Sequence, residues 1–413
     1  MTKSRKTQPA TPRQSNVFLL SNEPINPFVG IGSRDMGNKI FWNWGSDNIF
    51  PYALALMARS SATHRRVIND KTDYISGKGF SYDEKNAELE ALIKYANSEN
   101  ESLHSVINKL AFDINMFGNG FLEIVTDKKK SFISIFHQDA TKVRLHADNR
   151  HAWLCSDWFH FIENKAKQLP LYPMFEERDK YMRSVIHFSR YEPMFQHYGV
   201  PSYIAGLGVS EIAYKTDRWN ISRLDNSFQM SGVLVVDASC KTEEDAKELK
   251  KQAEKEFAGK PGKVLFLLSN GIDGKGSTFT PVQSNNEGDW KYLHEQATSD
   301  IVVAHSWFRA LSGLDYSTGF SPERILHEYE VALNTVILRQ QSEILNPVVM
   351  AIRDIMNIDC STLSFINKPP ITVKPAYMMI WEARKADGLP YDENDEEQKK
   401  YLADLSKSKA ETK

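Results

Sequence analysis

At 413 residues the chain is longer than one hydrophobic core usually serves, so two or more packed regions are expected. Its composition of 41% apolar, 11% aromatic and 25% charged residues lies near the globular average and excludes a disordered, collagenous or disulfide-scaffold chain. The 51 Lys and Arg against 53 Asp and Glu give a net charge of -2, which excludes nucleic-acid binding driven by a global basic surplus.

The three cysteines, Cys155, Cys240 and Cys360, are far apart and in no paired spacing, which fits a reducing compartment and neither a zinc site nor a disulfide framework. No run approaches the roughly 18 apolar residues of a membrane span, and the first residues lack the apolar core of a signal peptide. The expectation is a chain made in the cytosol that does not enter a membrane.

In chain order, residues 1–24 open with Lys3, Arg5, Lys6 and Arg13 and too little apolar surface to offset ordering entropy, so they read as a disordered basic arm. From Phe50-Pro51, the positions Leu54, Ala55, Ala58, Ala62, Val67, Ile68 and Ile75 form a broken helical stripe that stops at Gly77-Lys78-Gly79-Phe80. Leu103, Val106, Ile107, Leu110 and Ile114 mark a second helix, ended by Gly118-Asn119-Gly120 ahead of a strand at Phe121–Val125. Further strands are predicted at Phe132–Phe136, Trp153–Ile162 and Val185–Phe188. This first half reads as an α+β domain of roughly 200 residues.

A long helix is predicted over Val209–Phe228, with Val209, Ile212, Thr216, Trp219, Arg223 and Phe228 on one face and little else to bury. After a strand at Val233–Val236, Thr242-Glu243-Glu244-Asp245 caps a helix with Ala246, Leu249, Ala253 and Phe257 inward. A strand at Val264–Leu268, a glycine loop and a strand at Phe279–Val282 complete a small α/β insert, the loop being read as a hairpin turn. A second long helix carries Trp290, Leu293, Ala297, Ile301, Ala304 and Phe308 at helical spacing. Beyond a polar loop, Ser321-Pro322-Glu323 starts a helix through Ile325, Tyr329, Leu333 and Val336, which Asn346-Pro347 should kink or restart. Near the other end, Tyr401, Leu402 and Leu405 suggest a short helix.

Catalytic chemistry finds little footing. Gly271-Ile272-Asp273-Gly274-Lys275-Gly276-Ser277 resembles a phosphate loop, but Ser269 stands where the first glycine is needed and Gly276 where Ser or Thr must follow the lysine. His151, Cys155 and His160 have no fourth ligand at a familiar spacing and read as strand and core. His187, His197, Glu176, Glu177, Asp179 and Glu192 lie near no recognisable nucleophile. The aromatics between 153 and 198 lack the interleaved Lys and Arg of a single-strand binder. No metal, cofactor or catalytic residue is assigned.

Two long, largely polar helices bracketing a small insert cannot easily bury their faces within one chain, and they invite a closed ring of copies. Against that background the chain resembles the portal proteins of tailed bacteriophages, most closely the PBSX-type portal family, over about residues 40–330. The resemblance rests on Asn48-Ile49-Phe50-Pro51 with the turn at Ile75–Phe80; on Phe117-Gly118-Asn119-Gly120-Phe121-Leu122-Glu123, similar to an FGNAYLE segment; and on Val185–Phe188 with Tyr198-Gly199-Val200-Pro201 and Tyr203, similar to YGLPEYLA. Ser231-Gly232-Val233-Leu234, Gly262–Leu267, and Ala304-His305 with Leu311-Ser312-Gly313 follow in family order. One departure is Trp307-Phe308-Arg309, where the family commonly has a Val-Pro-Pro-like turn.

The resemblance implies an α+β portal-type fold. Its parts would be a wing over 25–208, a first stem helix over 209–232, an α/β clip over 233–286, a second stem helix over 287–308 and a tunnel loop over 309–321. A long crossing helix returning to the wing would occupy 322–375, and a crown or C-terminal tail 376–413. It further implies a homo-oligomeric ring, usually a dodecamer, at one capsid vertex of a virion assembled in the host cytoplasm. Double-stranded DNA would pass through its channel. Its partners would be the terminase large subunit, the major capsid or scaffold protein and a head-tail adaptor. Arg309, Asp315, Tyr316, Ser317 and Thr318 would face DNA, and Trp219 and Trp290 would pack between subunits. The function so implied is non-enzymatic; the alternatives are another head-tail connector or capsid component and, further off, a nucleic-acid-processing enzyme.

Overall fold

The computed structural model describes residues 40–45, 47–178, 180–193, 195–225, 232–237, 251, 265–269, 278–281, 287–314, 321–371, 378–386 and 388–402. For 222–225, 232–237, 265–269, 278–281 and 287–291 the backbone alone is described.

The broken stripe becomes two helices, α1 (Phe50–Ser60) and α2 (Ala62–Ser76). Ser61 makes the break: it is extended, and its side chain accepts from the His64 N–H, capping α2. Strand β1 (Phe80–Ser81), α3 (Ala87–Lys94) and α4 (Leu103–Phe117) follow. Then come β2 (Asn119–Asp127), β3 (Ile133–Gln138), β4 (Val143–Leu145), β5 (His151–Leu154), β6 (Lys167–Pro170), β7 (Glu176–Arg178) and β8 (Tyr181–Ser189). The strand predicted over Trp153–Ile162 is therefore corrected. β5 ends at Leu154, and the aromatics beyond it fold back as turns, with Trp158 and Phe161 stacked and Phe41 edge-on to both.

A four-stranded antiparallel sheet, ordered β3-β2-β8-β7, organises this half. β2 is covered on both faces, which explains its near-continuous apolar run. Leu122, Ile124, Ile186 and Phe188 meet α3, α4 and a later helix on one side, while Phe121 and Val185 meet Trp44, Leu54, Ile68, Tyr198 and Tyr203 on the other. A second antiparallel sheet, β4-β5-β6, adjoins the latter side.

Two of the motifs that carry the family resemblance meet in space. Gly118 ends α4 in the left-handed region at φ 71°, where an added Cβ would lie 2.3 Å from the Val200 carbonyl carbon. At Gly199 a Cβ would fall 2.3 Å from the Gly118 oxygen. Between them the Asn119 amide accepts from the Gly199 N–H at 2.7 Å and donates to its carbonyl at 2.8 Å. The chain thus folds so that 118–120 and 198–201 form one crossing that admits no side chain at either glycine.

Past residue 206 run α5 (Leu207–Asp225), the strands β9 (Gly232–Asp237), β10 (Leu265–Ser269) and β11 (Thr278–Pro281), and α6 (Glu287–Ala304). β9 is the central strand, parallel to β10 and antiparallel to β11. The hairpin expected between β10 and β11 is thereby overturned, because the two flank β9 rather than pair. A parallel β9–β10 pair needs a crossover between them. The capped helix predicted from Thr242 and the loop 270–277 lie outside the described residues, apart from Lys251, which is helical.

The last part holds α7 (Pro322–Ala332), a π-turn over Leu333–Ile337, α8 (Leu338–Met356), β12 (Ser364–Phe365) and α9 (Ile380–Ala386). Ser321 caps α7 as its sequence predicts, accepting from the Arg324 N–H with proline at the first turn. α8 does not restart at Pro347. The helix continues through it with Ile344, Val348, Ala351, Ile352 and Ile355 buried against the main core. Burial of those side chains, worth about 1.5–3 kcal/mol each, exceeds the ~3 kcal/mol that an internal proline costs. β12 pairs with β1, and Tyr401 forms an antiparallel bridge with Met379; Leu402 begins a helical turn, and the rest of the short helix expected there, Leu405 included, lies outside the described residues.

Candidate functional site

α5 and α6 lie side by side, joined by small residues. Gly206 stands just before α5, and a Cβ there would lie 2.4 Å from the Ala304 Cβ, so this end of the pair is as close as backbones allow. Val209, Ala213, Ala297 and Ile301 form an apolar cluster along the seam, with Ser210 and Thr216 also buried. Further on, His294 Nδ1 stands 3.7 Å from Asp217 Oδ1, an ion pair when the imidazole is protonated.

So narrow a seam leaves large apolar side chains outside it. Ile212 is 43% exposed, Ile221 48% and Tyr292 66%, with Tyr214 and Leu293 also in solvent. The face expected from the sequence is corrected here. Val209 and Thr216 turn inward, Ile212 turns out, and the inward positions between them are Ser210 and Ala213. Trp219 is half-buried, and Trp290 belongs to α6 by its backbone, its side chain lying outside the described set. The signal that sequence reading missed was the spacing of small residues at Gly206, Ser210, Ala213 and Thr216.

The second long helix also ends earlier than its spacing predicted, at Ala304 instead of running through Phe308. Ser306 adopts φ 51°, its N–H bonds the Val303 carbonyl, and the Trp307 N–H bonds that of Val302. This is a Schellman ending with serine in the place usually held by glycine. It swings Trp307 inward, where it packs with Val67, Val302, Tyr329 and Val336.

His305, at that ending, sits in a buried cluster of bases. Its Nε2 lies 2.8 Å from Nδ1 of His64, and its carbonyl accepts from Lys71 Nζ at 3.0 Å. The Tyr203 ring covers both imidazoles. Burial drives the His64 pKa down to about 4, with Arg65 adding to the effect, and drives His305 well below the usual imidazole range. Lys71 falls to about 7 because of its burial and, secondarily, Arg190 and Arg339. α2 thus fastens the end of α6 through groups whose charged forms the site disfavours.

The loop that follows is rooted firmly. A 3-10 turn covers Ala310–Ser312, the Ala310 N–H donates to Glu328 Oε2 at 2.9 Å, and Arg324 Nε donates to Oε1 of the same carboxylate at 3.0 Å. Arg309 is half-buried at this root. Asp315, Tyr316, Ser317 and Thr318 lie outside the described residues. Of the weaker metal candidates, His151 pairs with Asp148, and His160 with Asp157, so His151, Cys155 and His160 do not gather. No helix among the described residues is long and apolar enough to cross a membrane.

The model of the family described as "Phage portal protein" matches residues 74–295, more than half of the chain, from α2 into α6. The chain belongs to the phage portal protein family. An uncharacterized protein of Rickettsia felis (strain ATCC VR-1525 / URRWXCal2) is 26% identical to this portal-family chain over 238 residues, 56% of the chain and 57% of the relative. The chain therefore spans little more than half the length of the curated relative it matches. Among solved structures, a chain from the "Neck of empty GTA particle computed with C6 symmetry" has a similar fold, with a TM-score of 0.52 at 13% identity, over 83% of this chain and 94% of that one. A chain from the "Virion of native gene transfer agent (GTA) particle" does too, with a TM-score of 0.51 at 14% identity, over 89% and 99%. At such identities the likeness is one of fold.

Proposed function

We propose that this chain is the subunit of a ring-shaped portal at one vertex of a phage-type capsid, and that the ring is the channel through which double-stranded DNA enters and leaves. The observation that carries the reading is the family match running continuously from α2 through the β9–β11 insert into α6. In this reading residues 25–208 with 322–375 are the wing, α5 and α6 the stem, 233–286 the clip, 309–321 the tunnel loop and 376–413 the crown or tail.

The stem helices supply the physical support. Their exposed Ile212, Ile221 and Tyr292 need a covering surface, and a heterologous contact that closes on itself provides one in every subunit. Charge points the same way. Glu287, Asp289, Glu295 and Asp300 stand against Lys291 alone between 287 and 308, and ring symmetry multiplies that negative surplus. Such a wall lets a polyanion slide without gripping it, the opposite of a binding groove.

The role is non-enzymatic. The ring positions the terminase large subunit at the clip, lets its motor drive DNA through, holds the packed genome, and later seats a head-tail adaptor, while the wing meets the major capsid or scaffold protein. Tyr316, Ser317 and Thr318, with Arg309 and Asp315 beside them, would touch the DNA backbone without reading bases. Trp219 and Trp290 would pack between subunits.

Negative-stain imaging together with light scattering on the purified protein tests this. Rings with a central channel and a mass of about twelve subunits are expected. A folded monomer persisting at high concentration and across salt would overturn it. Shortening the loop between Leu314 and Phe320 tests the loop assignment: packaging or genome retention should fall, and if both are unchanged the loop does not engage DNA.

A further inference from the structure

The turn joining β4 to β5 brings two imidazoles and a carboxylate together. His146 and His151 are cross-strand partners: the His146 N–H bonds the His151 carbonyl at 2.9 Å, which sets their side chains on one face of the hairpin. Asn149, at φ 57°, turns the chain back, and Asp148 reaches both rings from the turn. Its Oδ1 lies 3.0 Å from His146 Nδ1, and its Oδ2 lies 2.6 Å from His151 Nδ1. One ligand atom from each of the three residues falls within 4.8 Å of the other two, and among the described residues this is the one place where three such groups converge.

We propose that His146, Asp148 and His151 bind one divalent transition-metal cation of the zinc class. A four-coordinate zinc with N and O ligands at about 2.0–2.2 Å has ligand-to-ligand edges of roughly 3.4 Å, so the 2.6 Å His151–Asp148 contact must open, and separations of up to 4.8 Å close to that edge by small side-chain rotations. Two imidazoles and one carboxylate select zinc, cobalt, nickel or copper over magnesium and calcium, which require a shell made of oxygens. His146 and His151 are half-buried and Asp148 is exposed, leaving the remaining coordination positions to water.

The bond changes are simple. The Asp148 N–H now donates to His146 Nδ1 at 3.0 Å, so that nitrogen holds a lone pair and its ring carries its proton on Nε2. The cation replaces that donor, while the Nδ1 proton of His151, now shared with Asp148, is exchanged through solvent for one on Nε2, leaving a neutral imidazole whose Nδ1 lone pair takes the metal. Asp148 Oδ1 keeps its bonds from the backbone N–H groups of Arg150 and His151, so the turn itself survives.

The site also lies where an incoming segment docks. Phe41 bridges His146, the Trp42 N–H bonds the Leu145 carbonyl, the Ala147 N–H bonds the Ile40 carbonyl, and Trp42 Nε1 donates to Asn149 Oδ1. A cation here pins the turn against residues 40–42.

The test is zinc chloride titrated by calorimetry into the full-length protein, wild type and variants, with hydrogen exchange read at the Trp42 and Ala147 amides. One zinc per subunit is expected, with affinity roughly tenfold or more weaker in His151→Gln and in Asp148→Asn, and unchanged in His160→Gln. Asn at 148 keeps the side-chain oxygen that caps the turn, so loss of binding there is not loss of the fold. Zinc should slow exchange at both amides in the wild type only. No saturable binding, or binding and protection equal in wild type and both ligand variants, overturns the proposal.

Discussion

His64 Nδ1 and His305 Nε2 lie 2.8 Å apart in a buried site, one on α2 and the other at the end of α6, 241 positions apart in the chain. Two imidazoles in that relation can share one proton between them but cannot both be charged. Lys71 beside them adds a third base whose cationic form the site resists.

The first prediction is a pH dependence. The folded pKa of His64, about 4, lies below its unfolded value of about 6.5, so the unfolded chain binds more protons between those limits and stability falls as pH drops through them. The loss for this one group is on the order of 3 kcal/mol by pH 4, and His305 adds in the same direction. Thermal melts at fixed protein concentration from pH 8 to pH 4 should show Tm falling below pH 6.5. A flat profile in that window would mean that the pair is not buried and neutral.

A second prediction concerns the joint of the two long helices. Because a Cβ at 206 would sit 2.4 Å from the Ala304 Cβ, Gly206→Ala should cost about 1–3 kcal/mol by forcing the helix ends apart. Ala304→Gly should recover much of that loss in the double variant, after its own helix-propensity cost of roughly 1 kcal/mol is subtracted. Denaturation of the four proteins in a double-mutant cycle checks this, and additive losses would show that the two positions do not touch.

A third separates packing from polarity at Trp307. Its ring is buried with Val67, Tyr329 and Val336, so Trp307→Ala should cost about 3–5 kcal/mol and lower Tm steeply. Its indole N–H has no hydrogen-bond partner among the described residues. Trp307→Phe, which removes that buried donor with a modest loss of volume, should therefore cost well under half as much. Equal losses would place the weight on the indole N–H instead.

A fourth addresses the exposed apolar face of the helix pair. Tyr292→Lys and Ile221→Lys place charge where these side chains stand 66% and 48% exposed, so the stability of an isolated subunit should shift by no more than about 0.5 kcal/mol. Assembly should respond differently, because a charge buried without a partner at a subunit contact costs several kcal/mol. Sedimentation of wild type and variants should show rings giving way to smaller species while the far-ultraviolet circular dichroism stays unchanged. Rings that persist in both variants would mean that another surface joins the subunits.

Much of this architecture is written locally along the chain. The stripes of α1, α2 and α4, the Ser321-Pro322 start of α7, the Gly118 stop and the apolar run of β2 all follow from neighbours a few residues away, since capping, glycine conformation and amphipathic period are short-range effects. The order of the family motifs was legible for the same reason. That α8 continues through Pro347, by contrast, depends on a core assembled from distant segments, which local propensity alone does not foresee. The placement of β9 between β10 and β11 is a pairing choice, and the alternation of each strand is compatible with either neighbour. The inward face of α5 went unread because small residues carry a weak hydrophobic signal, and only the approach of α6 shows that Ser210 and Ala213, not Ile212, meet it. The joining of His64 to His305, of Gly118 to Gly199, and of His146 to His151 through Asp148 belongs to tertiary structure, because a polar contact between strands or helices leaves no periodic trace in a single sequence.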